Sequence, residues 1–157
     1  DGAVGVKTGF TKKSGRCLVG AAERVGLTLI TVTLDAPNDW SDHEKLFDYG
    51  YSLLEGRVPL LEKEVRYTLP VIGGKQSTVT VTNAAGYRYI AKKGARPVTK
   101  EVRLPRYLAA PVRKGDAVGS LLLYEGDTLL SEIPLVAEES VLLPKKKSIF
   151  ARIFSRR

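Results

Sequence analysis

Hydrophobic and polar positions divide the chain into two textures. Ahead of residue 57 the apolar stretches are long. Residues 16–23 (RCLVGAAE) and 27–34 (LTLITVTL) read as two strands, with Arg24-Val25-Gly26 as the turn between them. The second is rich in β-branched residues and nearly continuous in apolar character, as in a buried strand. A preceding strand ends in Lys7-Thr8-Gly9, so three strands follow in series. They predict an antiparallel meander with residues 11–15 as its first hairpin connection. Ala36-Pro37-Asn38-Asp39 reads as a turn. A helix is predicted to start at Ser41, with Glu44 completing a capping box. Leu46, Phe47, Tyr49, Gly50, Leu53 and Leu54 follow at roughly helical spacing, and Gly56 suits the stop.

From residue 57 onward the runs shorten. Residues 58–70, 77–83, 87–91, 99–104, 120–124 and 128–136 are strand candidates, separated by Gly-, Asn- and Asp-containing turns. Residues 77–83 (STVTVTN) alternate strictly, which predicts one buried and one wet face. Many short strands at this spacing predict a β-sandwich. The organisation expected is thus residues 1–56, then a β-rich part over 57–143, then a tail over 144–157.

Charge alters the picture only at that tail. The formal net charge is +8, but Lys145, Lys146, Lys147, Arg152, Arg156 and Arg157 supply +6 of it within the last 13 residues, leaving +2 for the other 144. The basic character belongs to the tail, which argues against a nucleic-acid-binding globular part. On a helix, Ile149, Phe150, Ile153 and Phe154 share one face with basic residues around them, the pattern of a helix lying in a membrane interface. A disordered basic tail is the alternative. No 18-residue apolar run is present. The hydrophobic content of 43% is enough to build a core. The single cysteine, Cys17, cannot form an internal disulfide, so it does not report the compartment.

The candidate chemistry lies in Gly5-Val6-Lys7-Thr8-Gly9-Phe10-Thr11. Lys7 supplies a cation on a flexible stem, Thr8 a hydroxyl donor, and Gly9 a position where another molecule can approach the backbone. Together they suit an anion, above all a carboxylate. The same triplet also fits an ordinary strand running into a turn. His43, the only histidine, falls in the first turn of the predicted helix and reads as a solvated surface residue. Cys17, on an apolar strand, reads as a small packed hydrophobe.

The longer context is more specific. K-T-G followed by a hydroxyl residue (Thr11), then G-R-C-L-V-G-A-A, L-x-A-P-N-D and L-F-D-Y-G-Y, resembles in order the end of the catalytic domain of serine-type D-Ala-D-Ala carboxypeptidases, the low-molecular-mass penicillin-binding proteins. The segment A-P-V-R-K-G-D-A-V-G-S-L at residues 110–121 resembles a stretch of that family's β-rich second domain. The resemblance implies a mixed, mainly β fold: the C-terminal strands and helix of a penicillin-binding (β-lactamase-like) catalytic domain, a small β-sandwich domain, and an amphipathic C-terminal helix.

That family needs S-x-x-K and S-x-N as well as K-T-G. No serine here has Lys three residues on, and none has Asn two residues on. The chain is therefore expected to be the C-terminal part of such an enzyme and to be inactive by itself. For the intact protein, the resemblance implies removal of the terminal D-Ala from peptidoglycan pentapeptides through an acyl-serine, with β-lactams acylating the same serine and no cofactor or metal. By position, Lys7 would bind the terminal carboxylate and assist proton transfer, Thr8 would donate to that carboxylate, and the Phe10 N–H, after Gly9, would serve an oxyanion hole. The location implied is peripheral, at the extracytoplasmic face of the bacterial membrane. Ile149, Phe150, Ile153, Phe154, Lys145, Lys146, Lys147 and Arg152 would form the anchor, with no nucleic-acid partner. A non-catalytic membrane-associated β module that binds or positions cell-wall components is the competing function.

Overall fold

The structure, a computed structural model, describes residues 2–145. They form two compact units. Among the described residues, one holds 2–60 together with Tyr87–Pro97, and the other holds Leu61–Gly86 together with 98–145.

In the first unit β1 (Ala3–Thr11), β2 (Gly15–Arg24) and β3 (Leu27–Thr33) form an antiparallel sheet in the order β1-β2-β3. This is the predicted meander. Arg24 pairs with Leu27 across a two-residue turn whose Val25 and Gly26 both have positive φ, 49° and 75°. Such a turn matches the twist of the strands it joins. Leu18, Ala22 and Leu27 are buried on the face that α1 (Asp39–Leu53) covers. Tyr51 joins Ala22 and Leu27 in the core, with Leu29, Phe47 and Leu54 packed around them. Close approach needs small residues. A Cβ on Gly20 would stand 2.7 Å from His43 Nδ1, and one on Gly50 would stand 2.6 Å from Leu29 Cδ1.

Several expectations are corrected here. The helix starts at Asp39 rather than Ser41, and its N-cap Asn38 makes no side-chain cap hydrogen bond, so the Ser41–Glu44 capping box does not start it. It ends at Leu53, and Leu54 is already extended. Gly56 is no helix stop but lies in β4 (Leu54–Leu60), where a Cβ would collide with the Val25 carbonyl. The third strand is not buried on both faces: Ile30 is 70% and Val32 56% exposed, because α1 covers only the face of Leu27 and Leu29. The candidate strand at 58–70 is two strands, β4 and β5 (Arg66–Ile72). β4 pairs with β7 (Tyr87–Lys92). That pairing brings residues 87–97 into the first unit. Arg57 secures it, donating from Nη1 and Nη2 to the carbonyls of Arg96 and Ala95 at 2.8 and 2.9 Å.

The second unit contains β5, β6 (Thr78–Asn83), β8 (Val98–Arg103), β9 (Leu108–Ala109), β10 (Ala117–Glu125) and β11 (Thr128–Ala137). They are hydrogen-bonded in one order, β8-β10-β11-β6-β5-β9. The second unit is mainly β, as expected, and its six strands follow one another in a single hydrogen-bonded order. Strand spacing counts strands but does not dictate which distant strands pair. The alternation read in residues 77–83 holds for its buried face, where Val79 and Val81 are fully buried with Leu69, Val71, Val112, Ala137 and Val141. The opposite face is not wet throughout, since Thr82 is buried with its hydroxyl donating to the Val65 carbonyl at 2.8 Å. Asn83 is equally buried. It donates from Nδ2 to the Leu61 and Ala85 carbonyls and accepts from the Val65 N–H.

Candidate functional site

Among the described residues β1 is a sheet edge, with β2 its sole strand partner. Every second N–H and C=O of such a strand faces away from its neighbour and is open to an incoming extended ligand. Lys7, Thr8, Gly9 and Phe10 lie on this strand, opposite Val19, Leu18, Cys17 and Arg16 respectively, and all four are exposed. A Cβ on Gly9 would meet only Cys17 Cβ, at 3.9 Å. Gly9 therefore leaves open surface on the strand rather than relieving a tight contact. The Lys7 ammonium donates to the Thr8 carbonyl.

A cleft of about 550 Å³ is lined by Thr8, Gly9, Phe10, Arg16, Cys17 and Asp39. The structure thus gathers three of the four residues singled out on β1 around one opening, and Lys7 is not among those that line it. The hairpin beside it is locally braced. The Ser14 N–H donates to Thr11 Oγ1 at 2.9 Å, and the two hydroxyls lie 2.6 Å apart. Cys17 is corrected from a packed hydrophobe to a half-buried cleft residue, its thiol 3.6 Å from the Ser14 carbonyl.

Sequence reasoning missed two residues of this cleft. Arg16 donates from Nε to Asp39 Oδ2 at 3.2 Å and from Nη2 to Asp39 Oδ1 at 3.0 Å, a two-point pair between the start of β2 and the first residue of α1. Arg16 holds the Asp39 carboxyl below the usual carboxylate range against the opposing effect of burial, and the Trp40 N–H adds to this. The pairing joins residues 23 apart, so no local pattern announces it.

His43 is corrected as well. It is buried, with Nδ1 2.7 Å from Thr31 Oγ1 and Nε2 3.1 Å from Thr33 Oγ1. Phe47 packs edge-on against it with ring centroids 6.1 Å apart. Both ring nitrogens are spent on strand hydroxyls, so His43 fastens the helix to β3.

Among the described residues no three His, Cys, Asp or Glu side chains gather as a metal site, and no helix is long and apolar enough to cross a membrane. Lys145 is exposed. Lys146, Lys147, Ile149, Phe150, Arg152, Ile153 and Phe154 lie outside the described residues.

The chain is similar to known proteins along nearly its whole length. It is 28% identical over 160 residues to the D-alanyl-D-alanine carboxypeptidase DacF of Bacillus subtilis, covering 99% of this chain and 40% of that protein. Against DacC of Escherichia coli, another D-alanyl-D-alanine carboxypeptidase, it is 28% identical over 155 residues, covering 96% and 38%. It therefore spans about two fifths of these relatives. Among solved structures it resembles the D-alanyl-D-alanine carboxypeptidase DacD of Francisella tularensis, with a TM-score of 0.51 at 28% identity over 92% of this chain and 37% of that one. It shares its fold with penicillin-binding protein 5 of Haemophilus influenzae, with a TM-score of 0.57 at 22% identity over 88% and 43%. Residues 57–142 match the family model of the penicillin-binding protein 5 C-terminal domain. The chain belongs to that family and is a C-terminal part of a low-molecular-mass penicillin-binding protein.

Proposed function

We propose that the intact protein removes the terminal D-Ala from peptidoglycan pentapeptides and that the β1 edge forms one wall of its substrate cleft. The observation that carries this reading is the convergence of Thr8, Gly9 and Phe10 on one open cleft at a sheet edge. An extended peptide end can add alongside such an edge, its backbone recognised by unpaired strand groups. Thr8 donates to the terminal carboxylate, Lys7 supplies positive charge and assists proton transfer, and the Phe10 N–H stabilises the oxyanion. The nucleophile is a serine of an S-x-x-K motif, which these 157 residues lack. That serine attacks the carbonyl between the two D-Ala residues, D-Ala leaves, and water releases the shortened peptide from the acyl-serine. β-Lactams acylate the same serine. The basic apolar tail holds the protein to the extracytoplasmic face of the membrane.

The test is labelling of the source membranes with a fluorescent penicillin, followed by mass mapping of the labelled bands. Peptides of this sequence are expected in a labelled protein longer than 157 residues. Their confinement to an unlabelled species of about this size would overturn the reading in favour of a non-catalytic membrane-bound module. Acylation of the 157-residue chain by itself would refute the assignment of the nucleophile to a motif this sequence lacks.

A further inference from the structure

The second unit carries as many acidic as basic residues over 61–86 and 98–145, so no overall charge draws anions to it. Three of its cations nevertheless share one recess. A cleft of about 430 Å³ is lined by Lys63, Arg66, Thr82, Lys114, Gly115 and Glu138, among others.

Two loops deliver the lysines, and each is fixed from beneath. Residues 61–65 are clamped by buried Asn83, whose amide group holds Leu61 and Val65 at 2.7 and 2.9 Å and whose own carbonyl accepts from the Lys63 N–H at 3.4 Å. Lys63 takes the left-handed conformation, φ 55°, an uncommon choice for a side chain of this kind. The N–H groups of residues 113–115 each find an acceptor. The Arg113 N–H donates to Asp116 Oδ2 at 2.7 Å, the Lys114 N–H to Ser140 Oγ at 2.8 Å and the Gly115 N–H to the Ala137 carbonyl at 2.8 Å. The lysines are thus presented on backbone that needs no ordering when a ligand arrives.

We propose that this recess binds a phosphate-class oxyanion. The division of charge selects that class. Glu138 is the one acid of the cleft wall, and it pairs with Arg66 at 3.1 Å. The guanidinium fork, which suits carboxylates and phosphates alike, is therefore already engaged by Glu138. The remaining charge is two ammonium groups, compact donors that suit the several oxygens of a phosphate. Among the described residues Lys114 has no ion-pair partner, and Lys63 has only exposed Glu62, at 3.5 Å. Free phosphate and the phosphodiester of a headgroup or polymer present the same chemistry.

Isotope-labelled 157-residue chain is titrated with inorganic phosphate and, separately, with glycerophosphoglycerol, at constant ionic strength set with chloride. NMR follows the amides of Lys63, Lys114, Gly115 and Glu138. The site is expected to show saturable shifts at these amides. Lys63→Ala and Lys114→Ala should each weaken binding by about tenfold, while Lys75→Ala leaves it unchanged. Saturation by inorganic phosphate alone assigns a free anion, and saturation by the diester assigns a headgroup or polymer. Shifts that do not saturate with either probe, or that persist unchanged in Lys114→Ala with all distant amides unmoved, would overturn the proposal.

Discussion

Arg16 grips Asp39 with two donors, at 3.0 and 3.2 Å, and so ties the strand beside the candidate cleft to the first residue of the helix behind it. Arg16 is half exposed on the cleft side, whereas the Asp39 side chain is only 4% exposed. The pair thus fixes the cleft wall from within. Removing Asp39 would leave Arg16 without its anchor, and removing Arg16 would leave a nearly buried carboxylate unpaired.

This pairing carries a pH dependence of defined sign. The Asp39 carboxyl titrates below its ordinary value of 3.8 in the folded chain, chiefly through Arg16. A lowered folded-state value means that its contribution to stability is complete above about pH 4 and is lost as pH falls through the folded-state value. The thermal midpoint followed by Trp40, the single tryptophan and the neighbour of Asp39, should therefore fall more steeply as pH drops below about 4 in the wild type than in Asp39→Asn. Parallel profiles would show that the pair contributes nothing to stability.

Gly20 is predicted to be sensitive to a single methyl group. A Cβ there would press on His43 Nδ1 at 2.7 Å and on Phe47 Cζ at 3.3 Å, both on the helix packed above. Gly20→Ala should lower stability by about 1–3 kcal/mol, as overpacking does in a well-filled core. Gly5→Ala is the control, because a Cβ at that position meets nothing within 4 Å. Urea unfolding read by Trp40 should separate the two, and equal midpoints would mean that the helix shifts freely on the sheet.

Asn83 should dominate the local stability of the second unit. Its amide group serves two carbonyls and one N–H in a fully buried position. Asn83→Ala strands those partners and should cost about 3 kcal/mol. Asn83→Asp keeps an acceptor for the Val65 N–H but sets a carboxylate against the Leu61 and Ala85 carbonyls, so it should be less damaging at acid pH than at neutral pH. Urea unfolding followed by far-ultraviolet circular dichroism would check both, and a neutral Asn83→Ala would sink the assignment.

Much of the first unit was legible because its signals are local. The three-strand series, the turn at Arg24-Val25-Gly26 and the exposed Lys7-Thr8-Gly9 strand each rest on neighbouring residues. His43 was misjudged because its environment is built from β3, although a signal was present: the helix-facing positions of LTLITVT read Leu27, Leu29, Thr31, Thr33. Two hydroxyls on a covered face call for a polar partner above them. The return of Tyr87–Pro97 to the first unit had no such signal, since Arg57 meets its carbonyl partners 38 and 39 residues away. Strand order in the second unit was hidden for the same reason, with β11 pairing back to β6.

The tail gives the last prediction, argued from its sequence. Ile149, Phe150, Ile153 and Phe154 repeat at spacings that place them together on one face of a helix. Burial of each such side chain is worth about 1.5–3 kcal/mol at most. Each Lys or Arg close to an anionic leaflet adds about 1 kcal/mol. Those sums exceed the cost of ordering a short helix, so the chain should float with vesicles containing phosphatidylglycerol. Two contributions can be told apart. Raising salt removes the electrostatic part and should weaken binding without abolishing it. Phe150→Glu together with Phe154→Glu removes the apolar part and should release the chain even at low salt. If high salt alone released the wild type completely, the tail would be acting as a basic tether rather than an inserted helix, and the interfacial reading would fail.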